Sequence, residues 1–169
     1  MNSTLLYLAR FIVLCLAAGL ASALQADPPE NYPFVAFDEG LKRARADSKP
    51  IFLYFGRYGC AWCDITNQRA FSDPEVRKHY TAHYVMVYAD AESGNRLSLP
   101  SGERITEMEL GARFNAFATP LFAFMEKDGT LIFKIAGVQT AKDLMAYDRF
   151  VHDGIYKTKD IRQYLSEIQ

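Results

Sequence analysis

Two cysteines, Cys60 and Cys63, have the type and spacing that thiol–disulfide exchange requires. They occur as Cys-Ala-Trp-Cys soon after the apolar run Pro-Ile-Phe-Leu-Tyr-Phe of residues 50–55. A buried strand followed by a helix would place Cys60 at the N-terminus of that helix, where unpaired N–H groups stabilise a thiolate. The remaining cysteine, Cys15, lies near the start of the chain, so we expect Cys60 and Cys63 to pair reversibly with each other.

The N-terminal segment has the pattern of an export signal. Residues 11–23 form an apolar run that follows Arg10 and ends in Ala-Ser-Ala, a small-residue cleavage site. The run is shorter than the roughly 20 residues that span a bilayer, and it suits the apolar part of a signal peptide. We therefore expect residues 1–23 to be a signal peptide, with an uncleaved anchor as the alternative, residues 24–31 to be a linker and residues 32–169 to be one domain. The cleaved chain would have no stable membrane span.

The charge balance excludes one group of partners. With 19 Lys and Arg against 20 Asp and Glu, and a formal net charge of −1, the chain has no basic excess. Nucleic acids and anionic membranes attract strongly basic surfaces, so neither is expected as a partner. Export to an oxidising compartment would let a disulfide persist. A bond between Cys60 and Cys63 closes a very short loop and removes little entropy from the unfolded chain, so we expect its role to be chemical.

The spacing of apolar residues predicts alternating strands and helices. We expect strands at residues 32–37, 50–55, 83–88, 121–125 and 131–136, and helices at residues 38–46, 60–71, 74–82, 105–114, 139–151 and 158–168. Residues 89–103 are rich in Ser, Gly, Asn and Pro and are expected to form a long loop. Alternation that ends in a hairpin predicts an α/β fold with a mixed central sheet, partly parallel and partly antiparallel, flanked by helices on both faces.

This order of elements, with Cys-x-x-Cys after a central strand and Thr-Pro before the hairpin, resembles the thioredoxin fold over residues 32–169. Residues 70–76 (AFSDPEV) resemble a segment of exported thioredoxin-like proteins and of the C-terminal thiol domain of the membrane electron carrier DsbD. Residues 105–110 (ITEMEL) and 150–165 (FVHDGIYKTKDIRQYL) resemble the SoxW-type thioredoxins of bacterial sulfur-oxidation gene clusters.

The resemblance implies a role for each matching residue. Cys60 would be the exposed nucleophile and Cys63 the buried resolving thiol. Pro120 would be a cis-proline that faces the disulfide, with Thr119 before it, and the backbone beside it would pair with the substrate peptide. Trp62, the single tryptophan, is expected to cover part of the disulfide or to contact the partner, and packing in the core is its alternative role.

Three positions depart from typical thioredoxins. Tyr54 stands where they carry a buried Asp that helps to take the proton from the resolving thiol. Gly59 stands where they carry Trp, and Trp62 stands where they carry Pro. The resemblance therefore implies no particular redox potential for this chain.

Side chains near the cysteines and in the loop before the hairpin add further candidates. Arg57 would either add positive charge beside Cys60 or lie free in solvent. Phe114 and Phe117 flank the loop before Pro120, and either of them would be suited to line a substrate groove, although most of the aromatic residues are expected in the core.

A metal site is the alternative use of the cysteines. Cys60-x2-Cys63 followed by His79-x3-His83 fits the spacing of a zinc site. However, His79 is predicted near the end of a helix and His83 at the start of a strand, on a different part of the surface from the sulfurs. We therefore expect no metal and no cofactor, and we expect His79 and His83 to be ordinary surface residues and His152 to have no partner.

Together these patterns predict an exported, periplasmic thiol–disulfide oxidoreductase. It would reduce disulfides of partner proteins through Cys60 and Cys63 and would be recharged by an electron carrier in the membrane; the reducing direction is implied by the subfamily resemblance alone. Two alternatives stay open: a non-catalytic binding or chaperone module with a structural disulfide, and a small zinc-binding domain.

Overall fold

The computed structural model describes residues 28–168. Its helices are α1 (Phe37–Asp47), α2 (Ala61–Thr66), α3 (Pro74–His83), α4 (Glu107–Phe114), α5 (Ala141–His152) and α6 (Ile161–Ile168). Its strands are β1 (Ile51–Gly56), β2 (Val85–Asp90), β3 (Arg96–Ser98), β4 (Arg104–Thr106), β5 (Leu121–Met125) and β6 (Leu131–Ala136). The predicted signal peptide, residues 1–23, lies outside the described residues. Within residues 28–168, none of the helices is both long enough and apolar enough to cross a bilayer.

The central sheet has the order β2-β1-β5-β6. β1 runs parallel to β2 and antiparallel to β5, and β5 and β6 form an antiparallel hairpin. This confirms the predicted mixed sheet. β1 lies in the interior of the sheet and is buried along its whole length, which explains why its sequence is apolar without alternation.

Each face of the sheet carries its own core. Phe52 and Tyr54 of β1 point into a core shared with α3 and α5, whereas Leu53 and Phe55 point into a core shared with α1 and α4. Successive side chains of a strand point to opposite faces, so one apolar strand supplies both cores. Helices therefore cover both faces of the sheet, as the sequence predicts.

The predicted first strand is wrong in extent. Residues 32–37 contribute only one parallel bridge, between Val35 and Val87, and α1 begins immediately afterwards at Phe37. Tyr32 is instead fixed by its ring and its hydroxyl group: the ring packs edge-on against Phe71, and the hydroxyl donates a hydrogen bond of 2.9 Å to the Phe71 carbonyl. The apolar and aromatic residues that predicted a strand serve to anchor an irregular segment to the core.

The predicted long loop, residues 89–103, contains a strand of its own. β3 pairs antiparallel with β4, where Leu97 opposes Ile105 and both side chains are buried. Ile105 was predicted to be helical, but the helix α4 begins at Glu107, behind a capping box in which Thr106 and Glu109 bond each other's backbone N–H groups. Short strands amid polar residues lack the apolar run that a sequence pattern detects.

The helix after the cysteines is regular only in its first part. α2 ends at Thr66 and continues as a π-helical turn over Asn67–Phe71, in which the Ser72 N–H donates to the Asn67 carbonyl at 3.0 Å. The side chain of Asn67 also accepts a hydrogen bond of 3.2 Å from the Tyr54 hydroxyl. The predicted extent, residues 60–71, is therefore close to the observed one, but the π turn is a departure of the kind that often occurs at functional sites.

Truncating the centre of the first core should destabilise the fold strongly. Phe52 is fully buried and packs against the rings of Phe71, Tyr80, Phe122 and Phe124. Phe52→Ala should lower the free energy of unfolding by about 3–5 kcal/mol, because it removes buried area and leaves a cavity. Urea titration followed by circular dichroism measures this.

The same truncation on the surface supplies the control. Phe117 is 83% exposed, so Phe117→Ala should change the free energy of unfolding by no more than about 0.5 kcal/mol. Equal losses for the two variants would contradict the packing described here.

Candidate active site

Cys60 and Cys63 form a disulfide at the start of α2. Their Cα atoms are 5.2 Å apart, and Cys60 is the N-cap residue of the helix. The Cys63 N–H donates a hydrogen bond of 3.2 Å to the Cys60 sulfur. The end of β1 and the loop that follows it deliver the first sulfur to this position, as the sequence predicts.

The expected exposure of Cys60 is wrong for the disulfide form. Cys60 is 4% exposed and Cys63 is 5% exposed, so both are buried to the same degree. The reason is the neighbouring loop, because the Thr119 hydroxyl lies 3.2 Å from the Cys60 sulfur. A partner disulfide must therefore approach Cys60 past Thr119.

The Thr119–Pro120 peptide bond is cis, as predicted. β5 begins directly after it, antiparallel to β1, and Leu121 pairs with Phe55 at the end of β1. This register brings the start of β5 alongside the end of β1, and so it brings Thr119 to Cys60. Neither Ala118 nor Thr119 makes a backbone hydrogen bond to any residue between 28 and 168, which leaves donors and acceptors beside the disulfide for another chain.

The charge near Cys60 comes from the backbone rather than from Arg57. The guanidinium of Arg57 is 3.0 Å from the Glu92 carboxylate, and both side chains are largely exposed. The expectation that Arg57 lends its charge to Cys60 therefore has no support in the structure. When the disulfide is reduced, the Cys63 N–H, the end of the helix dipole and the Thr119 hydroxyl are the groups that favour a thiolate at Cys60.

Tyr54 occupies the position of the buried Asp in typical thioredoxins. Its hydroxyl is directed to Asn67, and burial, together with the nearby phenol of Tyr88 and carboxylate of Asp64, raises the pKa of the Tyr54 phenol far above its ordinary value. Tyr54 therefore stays neutral at physiological pH and cannot accept a proton from Cys63. The proton of the resolving thiol has to leave by another route.

Exposed aromatic side chains lie in the segments that approach the disulfide. Trp62 is 62% exposed and Phe117 is 83% exposed, so a core-packing role for Trp62 is wrong. Phe114, by contrast, is only partly exposed and packs against Phe55 and Phe37 of the second core. Tyr58, which is 56% exposed in the loop before Cys60, is a further candidate. The sequence does not indicate it, because a single Tyr in a loop carries no periodic signal.

The cysteine–histidine zinc site, which the sequence analysis left only as an alternative, is not assembled within residues 28–168. His83 is the last residue of α3 rather than part of a strand, so His79 and His83 lie on one helix. Both rings bond Asp148 of α5, and the group of potential metal ligands found within residues 28–168 contains no cysteine. The expectation that His152 has no partner is wrong, because its ring stacks on His83 with 3.5 Å between centroids.

Comparison with known proteins agrees with this geometry. The profile of the thioredoxin-like domain family matches residues 37–152, which is more than half of the chain, and the chain belongs to that family. In this fold, two cysteines paired at the N-terminus of a helix have the arrangement that thiol–disulfide exchange requires. The SoxW-type subfamily within this family stays a prediction.

Individual relatives are distant. The chain is 27% identical over 100 residues to the disulfide bond reductase DsbH of Chlamydia pneumoniae, a match that covers 59% of each chain. A solved structure of a DsbH oxidoreductase has a TM-score of 0.55 at 20% identity, covering 85% of this chain and 99% of the other. The structure of a thioredoxin-fold protein from Helicobacter pylori has a TM-score of 0.61 at 20% identity, and the match covers 72% of this chain and 80% of the other. At such identities the solved structures show the fold alone.

The Thr119 hydroxyl should matter for the reactivity of Cys60. Thr119→Val removes the hydroxyl but keeps the shape of the side chain, so a Cys60 thiolate would lose a charge-assisted hydrogen bond. Alkylation of the reduced protein by iodoacetamide near neutral pH should slow by about three- to tenfold at Cys60, because less thiolate is present. Mass spectrometry of the alkylated peptide assigns the rate to the residue.

Thr119→Ser is the matched control for this experiment. It keeps a hydroxyl group and should retain most of the alkylation rate. An unchanged rate in Thr119→Val would mean that the 3.2 Å contact between Thr119 and Cys60 does not stabilise the thiolate.

Proposed function

We propose that this protein is an exported thiol–disulfide oxidoreductase of the bacterial periplasm and that it reduces disulfides in partner proteins. The observation that carries the proposal is the Cys60–Cys63 disulfide at a helix N-terminus, with Thr119 against its first sulfur. The chlamydial relative is a disulfide bond reductase, which supports the reducing direction.

The reaction needs only the two sulfurs and a proton source. The Cys60 thiolate attacks one sulfur of the partner disulfide, so that a bond between Cys60 and the partner forms while the partner's own S–S bond breaks. The released partner thiolate takes a proton from solvent. Cys63 then loses its proton to solvent, and its thiolate attacks the Cys60 sulfur, re-forms the Cys60–Cys63 bond and releases the second partner sulfur as a thiolate, which takes a proton from solvent. Two electrons pass from the protein to the partner, and no cofactor takes part.

The order of attack follows from which thiolate the surroundings stabilise. The Cys60 sulfur receives the Cys63 N–H and faces the Thr119 hydroxyl, whereas hydrogen bonds of this kind to the Cys63 sulfur are absent within residues 28–168. Cys60 is therefore the nucleophile and Cys63 the resolving thiol.

The partner polypeptide would bind across the loop that ends in the cis-proline. The unpaired backbone of Ala118 and Thr119 suits an extended peptide, which would pair with it as an added strand beside Pro120. Exposed Trp62 and Phe117 would supply apolar contact on either side of that strand. Aromatic side chains commonly carry a large share of binding energy at such surfaces.

Turnover requires an electron donor. Each reduced partner leaves Cys60 and Cys63 oxidised, so a second protein must return two electrons before the next cycle. The predicted signal peptide of residues 1–23, followed by the linker of residues 24–31, would direct the domain to an oxidising compartment. We propose an electron carrier in the membrane as the donor, because it can bring reducing power across the bilayer to that compartment.

Single-cysteine variants test the assigned roles. Cys63→Ser leaves the nucleophile but removes the resolving thiol, so it should accumulate mixed disulfides with insulin and with disulfide proteins of a periplasmic extract. Cys60→Ser should trap none of them. Non-reducing electrophoresis, with and without dithiothreitol, detects the adducts.

Equal trapping by the two variants would overturn the assignment. If the unaltered protein, kept reduced by a coupled system, fails to reduce insulin, the domain is a binding module with a structural disulfide instead.

Trp62 should affect protein substrates more than small ones. Trp62→Ala should raise KM for insulin reduction by about tenfold, the loss expected for an aromatic contact at the centre of an interface. Reduction of a small aromatic disulfide such as dithiobis(nitrobenzoate) should change by less than about twofold, since that reagent needs no extended surface. A parallel loss with both substrates would show that Trp62 acts on the disulfide itself.

A further inference from the structure

Three side chains with metal-binding atoms converge between α3 and α5, apart from the cysteines. His79 and His83 lie one helical turn apart on α3, and Asp148 faces them from α5. Nδ1 of His79 is 3.1 Å from one carboxylate oxygen of Asp148, and Nδ1 of His83 is 2.8 Å from the other. One ligand atom from each of the three residues lies within 4.8 Å of the others.

These separations are near those that one ion imposes. Zinc binds imidazole nitrogen at about 2.0–2.1 Å and carboxylate oxygen at about 2.0–2.2 Å, which places ligand atoms of a tetrahedral site roughly 3–4 Å apart. Side-chain movements that shorten these separations would bring the three atoms around a common centre. Histidines at positions i and i+4 of a helix present their rings on one face, as this requires.

The burial of Asp148 makes the cluster unusual. Its side chain is only 3% exposed, and a buried carboxylate is strongly unfavourable unless positive charge or several hydrogen bonds compensate it. Within residues 28–168, no Lys or Arg forms an ion pair with Asp148, and only the two histidines do so. A divalent cation would supply the missing positive charge.

A further polar group lies at the same place. The hydroxyl of Tyr84, adjacent in sequence to His83, is buried and lies close to the carboxylate of Asp148. A carboxylate, two imidazoles and a phenol are therefore gathered between α3 and α5, where buried polar groups require polar partners.

We propose that His79, His83 and Asp148 bind a divalent transition-metal ion, with zinc as the ion that the donor set fits best. Two imidazole nitrogens and one carboxylate oxygen suit zinc better than magnesium or calcium, which prefer all-oxygen surroundings. Three protein ligands leave a fourth tetrahedral position for water. The ion would join α3 to α5 and would be independent of the redox state of Cys60 and Cys63.

His152 lies beside the ligand group but does not belong to it. Its ring stacks on His83 at 3.5 Å with an angle of 4° between the planes, and it contributes none of the ligand atoms that lie close together. Glu75, whose carboxylate is 3.9 Å from Nε2 of His79, lies on the exposed side.

The binding experiment uses the full chain in its disulfide form, so that Cys60 and Cys63 cannot bind metal as thiolates. The protein is stripped with a chelator, dialysed, and titrated with zinc chloride in competition with a chromophoric chelator. We expect one zinc per chain in equilibrium dialysis with metal analysis. Excess zinc should also raise the midpoint of thermal unfolding, because an ion that binds the folded state stabilises it by mass action.

Substitutions identify the ligands. His79→Ala and Asp148→Asn should each weaken zinc binding by at least about tenfold, the lower end of what even an outer partner of a metal site contributes. His79 is partly exposed, so His79→Ala keeps the test valid if Asp148→Asn fails to fold, which circular dichroism reports. His152→Ala is the matched control, since it removes a neighbouring imidazole that is not a ligand, and should retain stoichiometric zinc.

Two results would overturn the proposal. If the unaltered protein binds no zinc, the histidines serve only as hydrogen-bond partners of a buried carboxylate. If His152→Ala weakens binding as much as His79→Ala does, the assigned ligand set is wrong. Neither result bears on disulfide reduction, because the readout is metal binding to the oxidised protein.

Discussion

The pairing of β5 with β1 is the constraint on which the active site depends. β1 is held from both faces by the two cores, so its C-terminal end, which leads to Cys60, has one position. Because β5 is antiparallel to β1 and begins beside Phe55, the residue before its cis-proline must lie at the same edge of the sheet. Thr119 meets the Cys60 sulfur as a result, and the disulfide is covered on that side. A slip in this register would separate the two halves of the site.

Much of the fold could be predicted from the sequence because the central strands are long and apolar. β1, β5 and β6 lie close to their predicted positions. The alternation of strands and helices that ends in a hairpin correctly indicated the mixed sheet. The wrongly predicted elements occur where the pattern of apolar residues is weak or where tertiary contacts override it. Residues 32–37 have the sequence pattern of a strand, but their aromatic side chains anchor an irregular segment to the core. The β3–β4 hairpin is stabilised by two buried residues, Leu97 and Ile105, that have polar neighbours in the sequence.

The candidate site likewise has features that could be predicted from the sequence and features that could not. The identity of the cysteine pair, the cis-proline and the neutral residue at Tyr54 could be predicted, because each depends on residue type at a fixed spacing. The burial of Cys60 and the ion pair of Arg57 with Glu92 could not, because each depends on a residue distant in sequence. The histidines show both effects: their spacing on α3 is visible in the sequence, but their partner, Asp148, comes from a helix more than sixty residues later.

The decisive measurement for a redox role is the reduction potential of the Cys60–Cys63 pair, obtained by equilibration with dithiothreitol or glutathione buffers. Trp62, the single tryptophan, lies between the two cysteines and provides the fluorescence signal. If the protein is a reductase, the pair should show a single two-electron transition near the thioredoxin value of about −270 mV. A transition near about −120 mV would make the protein a donor of disulfides. The absence of any transition would contradict a redox role for the pair altogether.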